Sequence, residues 1–145
     1  MVLNPSHSTK VKKLNITTHA EEAQIYDELH KEIFNKYEQK RIWRIILKVV
    51  NSLENRTPLH CLDAGCGTGN LIVKEAILCD QVVGIDISRE MLKICRQKLK
   101  FVRPRTWDLV IADCERLPFR NNLFNFMHNV FYTSPFTQCA RISVH

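Results

Sequence analysis

A short apolar run, Leu59 to Leu62, ends in a carboxylate, Asp63, and is followed by Gly65, Gly67 and Gly69 and then by a stretch of helical character. A strand of that length carries the backbone to the edge of a sheet. Glycines then let it turn sharply and pass close to a ligand, because no Cβ intervenes. The following helix presents unsatisfied N–H groups at its start. The order predicts a site for a nucleotide-like cofactor at the carboxyl end of a first strand. The spacing narrows the choice. A dinucleotide fingerprint needs its third glycine where Asn70 stands, and no G-x-x-x-x-G-K-[ST] occurs, which excludes a P-loop.

Two further segments end in acids at the intervals such a fold requires. Gln81-Val82-Val83-Gly84-Ile85-Asp86 is an apolar run whose carboxylate follows Asp63 by 23 residues, close to the roughly 20 that separate a first strand from a ribose-binding acid. A carboxylate there can accept from both ribose hydroxyls, and charge-assisted bonds are the stronger kind. Ser88 and Glu90 also fit the start of a helix, so Asp86 has a capping alternative. The third segment runs from Asp108 through Asp113 and Cys114 to Leu117-Pro118-Phe119.

Together these segments resemble the class I S-adenosylmethionine (SAM) dependent methyltransferases, whose motif I is the Asp63 to Asn70 stretch. The resemblance covers roughly residues 59 to 133, about half the chain. It implies an α/β fold, a Rossmann-like parallel sheet, preceded here by a helical leader. It also implies SAM as cofactor. Asp63, with Gly65, Cys66, Gly67 and Gly69, would meet the methionine moiety. Asp86 would meet the ribose, and Asp113 with the Cys114 backbone the adenine, whose faces Ile87 and Met91 could pack. The reaction implied is in-line transfer of the SAM methyl group to a nucleophilic acceptor. Leu117 to Phe119 resembles the segment found in the small-molecule branch. An aromatic from a leading helix closes over SAM in related enzymes, which makes Tyr26 and Tyr37 candidates.

The bulk properties set limits. At 145 residues and 45% apolar content the chain suits a single domain with a real core. No apolar run approaches the roughly 18 residues of a membrane span. Residues 1–13 lack an apolar leader segment, which points to the cytoplasm. Six cysteines, none spaced C-x-x-C, read as buried small hydrophobes in a reducing compartment, with no metal site. The net charge is +6, and one basic run, Lys93 to Arg105, contains no acid. It is a possible nucleic-acid patch, but the solvated face of a helix is favoured, because Leu92, Cys95 and Leu99 supply an apolar stripe.

Along the chain, residues 1–18 are expected to form a flexible lead-in. Residues 19–57 form the helical leader, in two helices or one bent near Lys36 to Gln39, with Ile25, Leu29, Ile33, Phe34 and Tyr37 inward on the first and Ile42, Trp43, Ile46, Leu47, Val50 and Leu53 on the second. Residues 58–131 form the SAM-binding core, strands alternating with helices on both faces of the sheet. Leu123 to Phe131 resembles the family's fourth strand, with Asn125 where an acid is usual. His128 and Asn129 fall beside the expected methyl-transfer site. Either could orient a substrate, and His128 could act as a base, although a strand histidine more often packs.

Residues 132–145 read as an irregular tail. The family sheet has seven strands in order 3-2-1-4-5-7-6, and this chain supplies four. That predicts a truncated methyltransferase whose fourth strand is an open edge, suited to a protein partner or oligomer. The function expected is methyl transfer to a small molecule. The alternatives are an inactive fragment acting as a binding or regulatory module, a nicotinamide dehydrogenase of the same topology, and nucleic-acid binding through the basic run.

Overall fold

The computed structural model describes residues 5–54, 57–102, 106–130 and 141–144. Strands β1 (His60–Ala64), β2 (Gln81–Asp86), β3 (Trp107–Ile111), β4 (Phe126–Asn129) and β5 (Arg141–Val144) form one sheet in spatial order β3-β2-β1-β4-β5. The first four pair in parallel. The register brings Asp63 beside Gly84 on one side and His128 on the other, and Asp86 beside Ile111. The acids that end β1 and β2 therefore lie at one carboxyl edge. Cys61, Leu62, Val82, Ile85 and Phe126 are buried in the sheet, the apolar run expected of strands covered on both sides.

The helices are α1 (Pro5–Glu22), α2 (Tyr26–Leu29), α3 (Lys31–Phe34), α4 (Lys36–Ser52), α5 (Ile72–Leu78) and α6 (Arg89–Leu99). Ile42, Ile46 and Val50 of α4 lie four residues apart and bury one stripe. They join Ile72 and Ala76 of α5 and Leu92, Cys95 and Leu99 of α6 over Cys61, Val82 and Phe126. The opposite face, Leu62, Ala64, Val83 and Ile85, is packed by Phe119, Phe124 and Met127. Helices on both faces were expected. Among the described residues they cover one face, and the connection from β3 to β4 supplies the other.

The leader also differs from expectation. Helix α1 begins at Pro5, so the described part of residues 1–18 is helical and not a loose lead-in. Proline fits a first turn, where its missing N–H has no partner to lose. The helix is held by polar contacts, which an apolar period does not reveal. The next helix breaks at His30 and Asn35, before the predicted bend. Asn35 accepts from the N–H groups of Tyr37 and Glu38, each at 3.0 Å, and so caps α4. Tyr26 is buried, whereas Ile25, Leu29 and Tyr37 are exposed. Of the apolar residues expected inward on the first helix, Phe34 packs beside Tyr26, and these three face outward.

At the far end, residues 141–144 are not irregular. Their Arg-Ile-Ser-Val sequence suits a strand and pairs antiparallel with β4, Phe126 opposite Val144 and Asn129 opposite Arg141. The fourth strand is therefore not the open edge that was expected to recruit a partner, because β5 takes up its outer backbone groups. Phe131 and the rest of the expected tail, residues 132–140 and 145, lie outside the described residues. Asn125 does the structural work of the expected acid. Its side-chain oxygen accepts from the His60 N–H at 2.6 Å, and its own N–H donates to His60 O at 2.8 Å.

Candidate cofactor site

The glycine loop is built from backbone hydrogen bonds. The N–H groups of Gly65 and Cys66 both donate to Ile85 O, at 2.8 and 2.9 Å, tying the end of β1 to β2. Gly65 and Gly69 have φ of +82° and +90°, a region open to glycine at little cost. Gly69 also permits a close approach. A Cβ there would stand 2.6 Å from Cys95 Sγ and 3.2 Å from Cys95 Cα, so the loop rests directly on α6.

Asp86 fastens the other side. Its Oδ2 accepts from the Gly67 N–H at 2.9 Å and its Oδ1 from the Ser88 N–H at 2.8 Å. Ser88 in turn caps α6, accepting from the Met91 N–H at 3.3 Å. The cap of the helix is thus Ser88, and Asp86 lines the cleft while fastening the loop. Burial raises the Asp86 carboxyl above its ordinary range, and the two N–H groups oppose that rise.

These elements surround a cleft of about 870 Å³ of empty space, open solvent at its mouth included. Asp63, Gly65, Cys66, Gly67, Asp86, Ile87, Met91, Asp113 and Cys114 all line it. Gly69 does not; its place is against α6. Three carboxylates, from the ends of β1 and β2 and just beyond β3, thus face one space, with the apolar Ile87 and Met91 between them. Such a set fits a cofactor that carries a cationic amino group, ribose hydroxyls and an adenine ring. Burial pushes the Cys114 thiol up to about 12, with Asp86 adding to it. Cys114 is therefore no nucleophile at neutral pH.

The leader supplies the rest of the wall. Lys12, Asn15 and His19 of α1, with Tyr26 and Phe34, line the same cleft. The first three are spaced by three and four residues, one face of a helix. That polar stripe was the available signal for residues the apolar pattern missed. Lys12 Nζ lies 2.6 Å from Asp113 Oδ2 and also pairs with Glu115. Burial favours the neutral form of Asp113, but Lys12 and the Glu115 N–H outweigh it and hold the carboxyl below its usual range. Tyr26 stacks within a cluster with His30 and Phe34, at ring separations of 4.4 and 5.7 Å. Tyr37, the other candidate aromatic, is 87% exposed and contributes nothing to the cleft wall.

Asp27 locks the leader to the loop. Its Oδ1 accepts from Thr68 Oγ1 at 2.6 Å and Asn70 Nδ2 at 3.0 Å, and its Oδ2 from Lys98 Nζ at 2.7 Å. The basic run is thereby partly turned inward. Lys98 is committed to Asp27, Lys93 to Glu90 at 3.0 Å, and Arg96 lies over the Trp107 ring. Arg103 and Arg105 lie outside the described residues.

The two candidates beside the transfer site are placed differently from expectation. His128 is fully buried and does not line the cleft. The register sets it beside Asp63 on the face covered by α5, where its Nε2 hydrogen-bonds Glu75 Oε1. A base must reach its proton, so the expected base role for His128 is withdrawn. Asp63, Glu75 and His128 bring ligand atoms within 4.8 Å of one another, and there the imidazole bonds Glu75 directly through Nε2. Asn129 stands at the lip of the loop, its Oδ1 3.8 Å from the position of a Gly65 Cβ.

Comparison with known proteins agrees with this geometry. Residues 61–142 match a family described as a methyltransferase domain. The chain is 31% identical over 132 residues to a demethylmenaquinone methyltransferase of Staphylococcus carnosus, covering 88% of this chain and 50% of that one. It is 34% identical over 102 residues to a ubiquinone/menaquinone biosynthesis C-methyltransferase of Wigglesworthia glossinidia brevipalpis, covering 68% and 40%. Among solved structures, a SAM-dependent methyltransferase from Clostridium acetobutylicum superposes with a TM-score of 0.54 at 26% identity, over 77% of this chain and 43% of that one. The chain spans about half the length of the curated relatives it matches. With its glycine loop, its strand order and its three cleft carboxylates, the chain belongs to the class I SAM-dependent methyltransferase family.

Proposed function

We propose that the cleft binds SAM and that the chain is the cofactor-binding part of an enzyme that methylates a small-molecule acceptor. The observation that carries this is the convergence of Asp63, Asp86 and Asp113 on one cleft beside the glycine loop. In this reading Asp63 takes the amino group, Asp86 the ribose hydroxyls and Asp113 the adenine amino group. Gly65, Cys66 and Gly67 pass beside the methionine chain, and Ile87 and Met91 pack the adenine. Bound SAM supplies an electrophilic methyl group. The residues around it orient the cofactor and exclude water, the contribution that matters when the reagent is already activated. Leader residues Tyr26 and Phe34 close the apolar side of the cleft.

The acceptor class is argued from relatives named for demethylmenaquinone and ubiquinone biosynthesis, which points to a small organic molecule. A cytoplasmic setting is supported by Cys61, Cys66, Cys79, Cys95 and Cys114, all free thiols. Among the described residues no helix is long and apolar enough to cross a membrane. A second reading, cofactor binding without methyl transfer, is favoured by one observation. The only titratable candidate at β4, His128, is sealed from the cleft.

The test is calorimetric titration of the 145-residue chain with S-adenosylhomocysteine, with Asp86→Ala as control. Saturable binding lost in the variant supports the assignment, and a folded chain that binds nothing at any pH sinks it. Transfer of labelled methyl to a quinol panel separates the two readings.

A further inference from the structure

Asp63, Glu75 and His128 form a sealed set of ionisable groups behind the cleft, and of the three only Asp63 lines it. The fold brings them together from three elements. Asp63 ends β1, His128 is its register partner on β4, and Glu75 comes from the first turn of α5. His128 Nε2 is bonded to Glu75, and its Nδ1 lies 3.7 Å from Asp63 Oδ1 with no hydrogen-bond partner of its own.

The geometry decides the state of the ring. With Nε2–H donating to Glu75, a neutral ring would aim the Nδ1 lone pair at a buried carboxylate oxygen. A doubly protonated ring aims an N–H at it instead. In a site shielded from water the second arrangement is the favourable one whenever Asp63 is ionised, because a lone pair faces the anion in the first and a charged N–H faces it in the second. A buried ion pair is by itself weak support for folding, and apolar residues often serve as well. This one differs in that its far end opens into the cleft.

We propose that His128, kept charged by Glu75, is a positioning residue that counters the burial of Asp63 and favours its ionised form, aimed into the cleft, where a cationic amino group can meet it. The inference rests on the assignment of Asp63 to the cofactor's amino group. Other groups facing the set are Asp86 at the end of β2 and the Cys79 thiol after α5, which enter with the same sign as Glu75, and the thiols of Cys61 beside Glu75 and of Cys66 and Cys114 beside Asp63. Lys12 and His19 of α1 also line the cleft. The Asp63 carboxyl stands raised to about 7, burial being the largest cause and Glu75 and Asp86 adding to it, with His128 the one group that opposes the rise. Burial disfavours the His128 charge, but Glu75 and Asp63 outweigh it and raise the ring to about 9. Without the imidazolium, the acid that should receive the amino group would be largely protonated at neutral pH.

The experiment follows the Asp63 carboxyl carbon by NMR across pH, assigned by its loss in Asp63→Asn. It compares the wild-type chain with the double variant Glu75→Gln/His128→Gln. The two amides can share a hydrogen bond, and Glu75 is not left as a lone buried charge. The expected result is a rise of the Asp63 midpoint by about half a unit or more in the variant, less than the loss of His128 alone would give, because Glu75 pushes the carboxyl the other way. S-adenosylhomocysteine affinity at pH 7 should then weaken about twofold or more, returning toward the wild-type value as the pH is raised to 9. A folded variant with an unchanged midpoint overturns the proposal. Ring nitrogen shifts of wild-type His128 give an answer that needs no variant: both nitrogens protonated at pH 7.5 supports it, and a neutral tautomer overturns it. A wild-type chain that binds no S-adenosylhomocysteine would remove the cofactor assignment, and the carboxyl titration would still decide whether His128 controls the charge on Asp63.

Discussion

At Gly69 and Gly67 the same residue type answers different demands, and substitution separates them. A methyl group at Gly69 meets Cys95 Sγ at 2.6 Å and Cys95 Cα at 3.2 Å, the second of which is backbone and cannot swing away. A methyl group at Gly67 meets nothing within 4 Å, and only its φ of +54° is unfavourable. Gly69→Ala is therefore expected to cost about 2–3 kcal/mol through overpacking and backbone strain, and Gly67→Ala about 1 kcal/mol. Thermal unfolding of the two variants tests this, and equal losses would contradict the packing argument. The carboxylates show a similar contrast. Asp86 is held by two loop N–H groups and Asp113 by a lysine. Asp86→Ala should therefore loosen the glycine loop as well as remove a cleft acid, whereas Asp113→Ala should release Lys12 and leave the loop intact. Amide exchange at Gly67 distinguishes the two.

The elements of the core could be read from the chain, and those of the leader could not. Strands β1 to β3, α5 and α6 each announce themselves by an apolar run or stripe bounded by Gly, Ser or an acid, and nine of the ten proposed cofactor residues line the one cleft. Helix α1 gives no such signal because the residues it turns to the cleft, Lys12, Asn15 and His19, are polar, and Lys12 pairs with Asp113 and Glu115. The break at Asn35 is an N-cap, local chemistry that an apolar period overlooks. Nor could spacing show that β4 turns His128 toward α5 and away from the cleft, since strand register is a property of the assembled sheet. The leader's attachment has a direct consequence. Asp27 joins α2 to Thr68, Asn70 and Lys98, so Asp27→Ala should free the leader with little damage to the sheet. Expected are faster amide exchange in α1 and α2, unchanged exchange in β1 and β2, and weaker S-adenosylhomocysteine binding. The global loss should stay near 1 kcal/mol, since the Asp27–Lys98 pair is partly exposed and only one carboxylate is removed. Uniformly faster exchange would mean that the leader and the sheet unfold as one unit. Tyr37→Ala, at a position 87% exposed, should change none of these.

On the scale of the whole molecule, the buried set behind the cleft should govern how stability varies with pH. Folding raises the proton affinity of Asp63 from 3.8 to about 7 and that of His128 from 6.5 to about 9. In both cases the folded chain holds a proton that the unfolded chain releases, so the slope of stability against pH is negative. The Asp63 contribution is complete below about 4 and is lost as pH rises through 7; the His128 contribution is complete below 6.5 and is lost through 9. Asp27 and Asp113 act oppositely, since their folded forms are the more acidic, and they weaken the fold only as pH falls through the ordinary carboxylate range. The midpoint of thermal unfolding is therefore expected to peak on the mildly acid side and to fall steadily from pH 6 to pH 9.5. The Glu75→Gln/His128→Gln variant should lose the His128 share of that fall, because it carries no ring to deprotonate, and keep the Asp63 share, moved to higher pH. Saturating S-adenosylhomocysteine should also flatten the wild-type curve near neutrality, since its amino group favours the ionised Asp63 that burial resists. A wild-type midpoint that rises between pH 6 and 9 would show that the imidazole is neutral in the folded chain and that Asp63 faces the cleft without it.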